Sequence, residues 1–276
     1  MDDRQVLRMG DAAHLETGDA PGGGRRSPVT PVALFLLLVG LDRIMVSDRW
    51  PELEPARRLW RRWTPRVLAY VRSAPATYAY LFVLLITTWV LQTSSSTIAD
   101  QLLLERSTNL DHLGHDPVRV LFSSAFWVSS TFELLGWVAL FTVFVAQAER
   151  WLGTARTVAV FFLGHVGATL LTALGLWASL HSDLVEKSVV NAKDVGASYG
   201  FAAVAAVLVY GLAKPWQQLY AAAVVAFAGI SVALDHDFTN WGHLIALAIG
   251  FACYPLVRGR RSTVVVPGFR LGRTAR

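Results

Sequence analysis

Cysteine is nearly absent from this chain of 276 residues, which has only Cys253. A single cysteine excludes a disulfide framework and a cysteine-based metal site. Charged residues are also scarce, at 16% of the chain, and they gather before Arg72 and after Val257. Residues 1–26 are polar and lack an apolar core, so we do not expect them to act as a secretory signal peptide.

Hydrophobic residues, by contrast, make up 54% of the chain, and the mean hydropathy is +0.42. Soluble domains usually reach about 45–50% even on a count that includes glycine. Apolar blocks near the length of a bilayer span occupy residues 77–95, 122–146, 155–178, 196–213, 217–234 and 241–258. The sequence therefore predicts an all-α polytopic membrane protein, a bundle of six transmembrane helices over residues 77–258.

The two ends of the chain are basic rather than apolar. We expect a disordered tail over residues 1–27, a basic interfacial or amphipathic segment over 28–76, and a basic tail over 259–276. The apolar run 31–41 is too short to span, because a span needs about 20 residues. Basic ends can also bind nucleic acid, but arginines interleaved with Trp50, Trp60 and Trp63 favour the bilayer surface as the partner, and we expect no nucleic acid.

Charge asymmetry gives an orientation. An even number of spans puts both arginine-rich ends on one side, which the positive-inside rule makes cytoplasmic. Arg150, Arg156 and Lys214 then fall inside, whereas the link with Asp235 and Asp237 falls outside, as do residues 96–121 and 179–195. We expect a multi-pass protein of the plasma membrane, and the use of Ala, Arg and Val suggests a bacterial one.

Ser198 is the first polar residue within the apolar blocks that needs an explanation. It lies in the string Gly196-Ala197-Ser198-Tyr199-Gly200, which fits the G-x-S-x-G nucleophile elbow. That motif requires a preceding strand in an α/β sheet, and here it opens a membrane helix, so the soluble hydrolase fold is excluded. Gly196 and Gly200 also fit the G-x-x-x-G motif of helix packing, which leaves a structural role open.

His243 lies at the same predicted depth as Ser198. If Asp194 marks the outer end of the fourth span, Ser198 is about 6 Å inside it, and if Asn240 marks the outer end of the sixth, His243 is about 5 Å inside. The chain between them crosses the membrane twice and returns to the same side. A serine and a histidine that can meet supply a nucleophile and its general base.

These residues resemble the rhomboid protease family, over roughly residues 77–258. The resemblance is carried by Gly196, Ala197 and Ser198 at the start of one helix, by Gly242, His243 and Gly250 in the last, by the stretch Ala148-Glu149-Arg150-Trp151-Leu152-Gly153, and by residues 117–126. It implies a Ser198–His243 dyad, an oxyanion donor in the Ser198 backbone N–H, and no cofactor or metal.

The family pattern is not matched everywhere. Tyr199 replaces the glycine that usually follows the serine, and Ala202 replaces an aromatic residue. Glu133 and Trp137 fall near the positions of a histidine and an asparagine that supply further oxyanion donors. In the last helix Ala246 replaces one of two packing glycines, and Gly250 keeps the other. We therefore take Gly196, Tyr199, Gly200 and Glu133 as candidates that shape the oxyanion pocket.

Two functions follow from this pattern, and a third ranks below them. The first is an intramembrane serine protease that cleaves transmembrane substrates near the outer face of the bilayer. The second is a catalytically inactive relative, a pseudoprotease that binds transmembrane clients. A small transporter ranks third, because it would require internal repeats and broken helices that the sequence does not have.

Overall fold

The structure, a computed structural model, describes residues 31–47, 49–108, 110–181, 196–235 and 237–260. Within these ranges the regular elements are all helical. The predicted tail 1–27, the predicted tail 259–276 beyond residue 260, most of the outer link 179–195 and its Asp194 lie outside the described residues.

The described part of the chain contains the following helices. They are α1 (Pro31–Val46), α2 (Glu54–Arg72), α3 (Pro75–Thr93), α4 (Ser96–Glu105), α5 (Leu110–His115), α6 (Pro117–Ser123), α7 (Thr131–Leu140), α8 (Ala146–Leu152), α9 (Thr154–His181), α10 (Ser198–Leu208), α11 (Trp216–Leu234) and α12 (Phe238–Ala252). A π-helical turn, Phe141–Val145, joins α7 to α8 in one continuous rod.

Four helical segments of the described chain are long and apolar enough to cross a membrane: Pro75–Thr93, Thr131–Leu152, Thr154–Ser179 and Trp216–Leu234. Two shorter apolar segments, Ser198–Gly211 and Phe238–Ala252, complete the set. Large apolar side chains such as Phe132, Phe227 and Leu234 are left exposed on the outside of the bundle, where lipid covers them. The prediction of an all-α polytopic membrane bundle is confirmed.

The second span begins and ends later in the chain than predicted. The sequence predicted residues 122–146, whereas the helix runs over Thr131–Leu152. Ser130 caps this helix by accepting a hydrogen bond from the Glu133 backbone N–H at 3.1 Å. The apolar residues before Ser130 form α6 and a 3₁₀ turn, Ser124–Phe126, so residues 96–121, predicted as an outer loop, are largely helical.

Glu149 links the end of this second span to the start of the first. Its carboxylate accepts hydrogen bonds from the backbone N–H groups of Ala76 (2.9 Å) and Thr77 (2.8 Å) and from the hydroxyls of Thr77 and Thr154 (both 2.7 Å). The first N–H groups of a helix have no partner within it, and a carboxylate satisfies them and complements the helix dipole. The acidic residue of the Glu149–Gly153 stretch thus fixes α8 against α3.

The centre of the bundle is α10, which is packed between α9 and α12. Nearly all of its residues are buried, and its side chains are mostly alanine and valine. Glycines face it from both sides: a Cβ added to Gly164 of α9 would lie 2.1 Å from the Ala203 Cβ, and one added to Gly250 of α12 would lie 2.3 Å from the Ala203 carbonyl oxygen. Small residues let the three backbones approach closely, as in other membrane helix interfaces.

Candidate functional site

Ser198 is the first residue of α10, and the two residues before it explain why the helix starts there. Gly196 has a φ of +130°, a region that only glycine adopts readily, and this turns the chain into the helix. Its N–H donates to the Ser124 carbonyl oxygen at 3.0 Å. Ala197 is fully buried, whereas Ser198 stays half-buried. The helix therefore starts from a fixed point and leaves the serine side chain partly accessible.

Ser124 is itself anchored by a histidine of α9. The buried His165 donates from Nε2 to the Leu121 carbonyl oxygen at 3.0 Å and shares that proton with Ser124 Oγ at 3.1 Å. The Nε2 proton follows from the carbonyl, which can only accept. The His165 ring also stacks on Phe161, and Phe161 occupies the space beside Gly200. Three segments that are distant in sequence thus meet behind the start of α10.

His243 lies in the second turn of α12 and faces the start of α10. Its ring is edge-on to Tyr199, with ring centroids 5.2 Å apart and an interplanar angle of 74°. Tyr199 is buried and lies so close to Gly242 that an added Cβ there would be 2.4 Å from the tyrosine ring. The turn of α12 that carries His243 therefore packs at the level of the residue that follows Ser198.

The Ser198 hydroxyl and the His243 ring, both within the described part of the chain, make no hydrogen bond to one another. The aromatic ring of Tyr199 lies against His243 instead. In hydrolases without substrate the catalytic hydrogen bond is often long and tightens only in the complex. The geometry brings the two helices together at this level and leaves the pair unengaged.

Glu133 has a structural role in this arrangement. Its Oε2 accepts a hydrogen bond from the Ser129 backbone N–H at 3.0 Å, and its Oε1 accepts one from Trp137 Nε1 at 3.2 Å. With Ser130 as the N-cap, this is a variant of the capping box, which the S-x-x-E pattern of residues 130–133 indicates in the sequence. Both carboxylate oxygens are engaged in ordering the start of α7.

The remaining candidates are packing residues in this structure. Gly200 lies against the Phe161 ring, where an added Cβ would be 2.5 Å away. Ala202 and Ala246 are buried in one cluster with Tyr199 and Ala206, and Gly250 contacts Ala203 and Ala206. These contacts determine how closely α10 and α12 approach, and hence how far Ser198 is from His243.

The described residues of the site include a serine hydroxyl and an imidazole, the groups that acyl transfer uses. Among the described residues there is no group of three or more His, Cys, Asp or Glu side chains that could hold a metal ion. A serine hydroxyl at a helix N-terminus, with an imidazole on the adjacent helix, suits nucleophilic attack on a carbonyl and stabilisation of the resulting oxyanion by backbone N–H groups.

The sequence did not reveal the Ser124–His165 pair. Neither His165 nor Ser124 was among the candidate site residues. The two are 41 residues apart; His165 lies in no motif, and Ser124 lies in the stretch 117–126, which does not single it out. Only the packing of α9 against the 3₁₀ turn after α6 brings them together.

Comparison with known proteins supplies the remaining evidence. No curated protein and no solved structure matches the chain. A sequence model of the rhomboid-like protein family matches residues 69–263, which includes the six apolar spans, Ser198 and His243. Because this match covers most of the chain, the chain belongs to the family of rhomboid-like proteins.

Proposed function

We propose that this protein is an intramembrane serine protease that uses Ser198 and His243 to cleave membrane-anchored proteins near the outer face of the bilayer. The observation that carries the proposal is the start of α10. Gly196, at φ +130° and hydrogen bonded to the Ser124 carbonyl, presents a half-buried serine at a helix N-terminus, beside the turn of α12 that carries His243.

In the proposed reaction His243 accepts the proton of the Ser198 hydroxyl as its oxygen attacks the scissile carbonyl. The backbone N–H of Ser198, at the positive end of the α10 dipole, donates to the developing oxyanion. The imidazolium then protonates the leaving amine, and a water molecule hydrolyses the acyl-enzyme with His243 again acting as base. The dyad must close to about 2.6–3.2 Å for the first proton transfer.

The proposed setting follows from the arginine distribution. Both termini, with α2, lie on the cytoplasmic side of a plasma membrane, and the start of α10 lies near the opposite face. The substrates are then transmembrane proteins whose cleavage sites enter from the outer half of the bilayer.

Labelling with a fluorophosphonate probe tests the proposal directly. The purified full chain in detergent or liposomes should be labelled, and both Ser198→Ala and His243→Ala should abolish labelling. Ser129→Ala is the matched control, because Ser129 is an exposed serine outside the proposed dyad, and it should label like the wild type. Labelling that persists in Ser198→Ala, or that is absent from a folded wild type under several conditions, contradicts the proposal.

A non-proteolytic role is the second candidate, and one contact favours it. The Tyr199 ring packs against Gly242 and His243, and so occupies space beside the proposed base. A pseudoprotease would bind a transmembrane client without cleaving it. Co-purification of a client that is unchanged in Ser198→Ala, without Ser198-dependent cleavage of any transmembrane reporter, would favour this role over the protease.

A further inference from the structure

Helix α2 has two distinct faces, and part of its apolar face has no protein cover. Leu59, Trp63 and Val67 are four residues apart, so they form one stripe, and they are 58%, 54% and 55% exposed. The helix is also strongly basic: from Glu54 to Arg72 it holds six arginines, of which Arg57 is buried, and a single acidic residue. Arg62 and Arg66 lie 5.9 and 5.4 Å from the Trp63 ring centroid.

In a chain that belongs to the membrane, such a helix lies parallel to the bilayer plane. Tryptophan and arginine are enriched where hydrocarbon meets headgroups, with the ring in the apolar layer and the guanidinium at the phosphates. Helix α1, which packs beside α2, exposes Leu36, Leu37 and Leu38, so lipid also surrounds the neighbouring helix. Exposed leucines on α1 beside tryptophans and arginines on α2 are typical of helices at the level of the lipid phosphate groups.

A groove of about 410 Å³ runs between α1 and α2. It is lined by Asp42, Val46, Trp60, Arg61, Thr64, Pro65, Leu68, Ala69 and Arg72. Its two arginines are exposed and outnumber its one carboxylate, so the lining has a net positive charge. The carboxylate, Asp42, accepts a hydrogen bond from Trp60 Nε1 at 3.2 Å. The wall between the arginines is apolar, from Pro65 through Leu68 to Ala69.

The combination of cationic ends and an apolar wall selects one class of ligand. A guanidinium group binds two phosphate oxygens in a bidentate pair. In a zwitterionic headgroup the lipid's own cation partly neutralises the phosphate charge, so an anionic lipid is favoured. The apolar wall suits a glycerol backbone and the first carbons of an acyl chain. A soluble phosphate would leave that wall uncovered.

We propose that the groove between α1 and α2 is a binding site for one anionic phospholipid, whose phosphate pairs with Arg61 or Arg72 at one end of the groove while its apolar part covers the wall between them. The site lies outside the Ser198 region and does not depend on whether the protein is a protease. Its occupant is a lipid of the surrounding bilayer, bound more tightly than the lipids that only cover the bundle.

Native mass spectrometry of the full chain tests the site. Dioleoyl phosphatidylglycerol and dioleoyl phosphatidylcholine are added to the detergent-purified protein, and the bound adducts are counted. We expect one phosphatidylglycerol to be retained at activation energies that strip phosphatidylcholine. The double variant R61Q/R72Q should weaken this binding about tenfold or more, since each arginine near a lipid surface contributes about 1 kcal/mol.

The matched control is R58Q/R62Q, which removes the same charge from the same helix. Arg58 and Arg62 do not line the groove. This variant should retain the tightly bound phosphatidylglycerol. If both variants lose the bound phosphatidylglycerol equally, the effect is only the diffuse charge of α2, and the proposal is overturned. Retention of phosphatidylcholine as strong as that of phosphatidylglycerol would also overturn it. Binding of sn-glycerol 3-phosphate as tightly as the lipid would assign the groove to a soluble anion instead.

Discussion

At the scale of single residues, Tyr199 separates the two candidate functions. Its ring is buried against Gly242 and lies edge-on to His243, next to the proposed nucleophile in sequence. A glycine there, which the resemblance to rhomboid proteases implies, would leave this space open. If the protein is a protease, the ring limits how closely His243 approaches Ser198.

We therefore expect Tyr199→Gly to increase the rate of fluorophosphonate labelling at Ser198 by about tenfold. This is a smaller effect than the factor of about 10²–10³ in rate that one oxyanion donor can contribute. Loss of the buried ring also costs about 3–5 kcal/mol of stability. Thermal unfolding of the same samples separates the two effects. Tyr199→Phe keeps the ring and should label like the wild type. A folded Tyr199→Gly protein that labels no faster than the wild type contradicts this role for the ring.

At the scale of helices, the fold depends on the close approach of α9, α10 and α12. Gly250 allows this approach because its hydrogen occupies a space beside the Ala203 carbonyl where a methyl group does not fit. Glycine is otherwise a poor helix former, so its presence in the middle of α12 is explained by packing rather than by propensity.

The substitution Gly250→Ala should destabilise the protein by about 1–3 kcal/mol, the usual cost of overpacking a tight interface. Gly229→Ala, within α11, is the control, because nothing lies within 4 Å of the added Cβ. That variant should change stability by less than about 1 kcal/mol, toward greater stability if anything. Unfolding in detergent by titration with sodium dodecyl sulfate measures both, and similar losses in the two variants would contradict the packing argument.

Helix boundaries also show where sequence reasoning succeeds and where it fails. Most spans could be located from hydropathy, because four of the apolar segments are about as long as a bilayer crossing requires. The second span was displaced, because the apolar residues after Pro117 extend the hydrophobic block although the helix begins only at Ser130 and its cap. The Ser130–Glu133 capping pattern is present in the sequence and marks where this helix begins.

At the scale of the whole molecule, the arrangement of the site could be anticipated only in part. The level of Ser198 and His243 follows from counting residues along two helices. The Tyr199 rotamer and the contact of Ser124 with His165 could not be derived, because both depend on how α9, α10 and α12 pack side by side. Hydropathy gives the depth of a residue in the membrane, and it carries no information on the neighbours of that residue.

The orientation of the molecule remains a prediction that its single cysteine makes easy to test. In a Cys253→Ala background, cysteines placed at the exposed positions Arg62, Arg150 and Asp237 report on both sides. A membrane-impermeant maleimide added to intact cells should label only the Asp237→Cys variant. After the membrane is permeabilised, it should label all three variants. Labelling of Arg62→Cys in intact cells would contradict the cytoplasmic placement of α2.

The burial of α10 has a consequence for how the protein is made. With 11 residues the helix is about 16 Å long, roughly half of the hydrocarbon core, and neighbouring helices cover nearly all of its sides. Its residues are as apolar as those of the other spans, but a helix this short has little total apolar surface with which to stay in lipid alone. Since α12 leaves the ribosome after α9 and α10, the packing of α10 is complete only when α12 has been made. A chain that stops before Phe238 would present an uncovered helix, too short to span the bilayer, to the quality-control proteases of its own membrane.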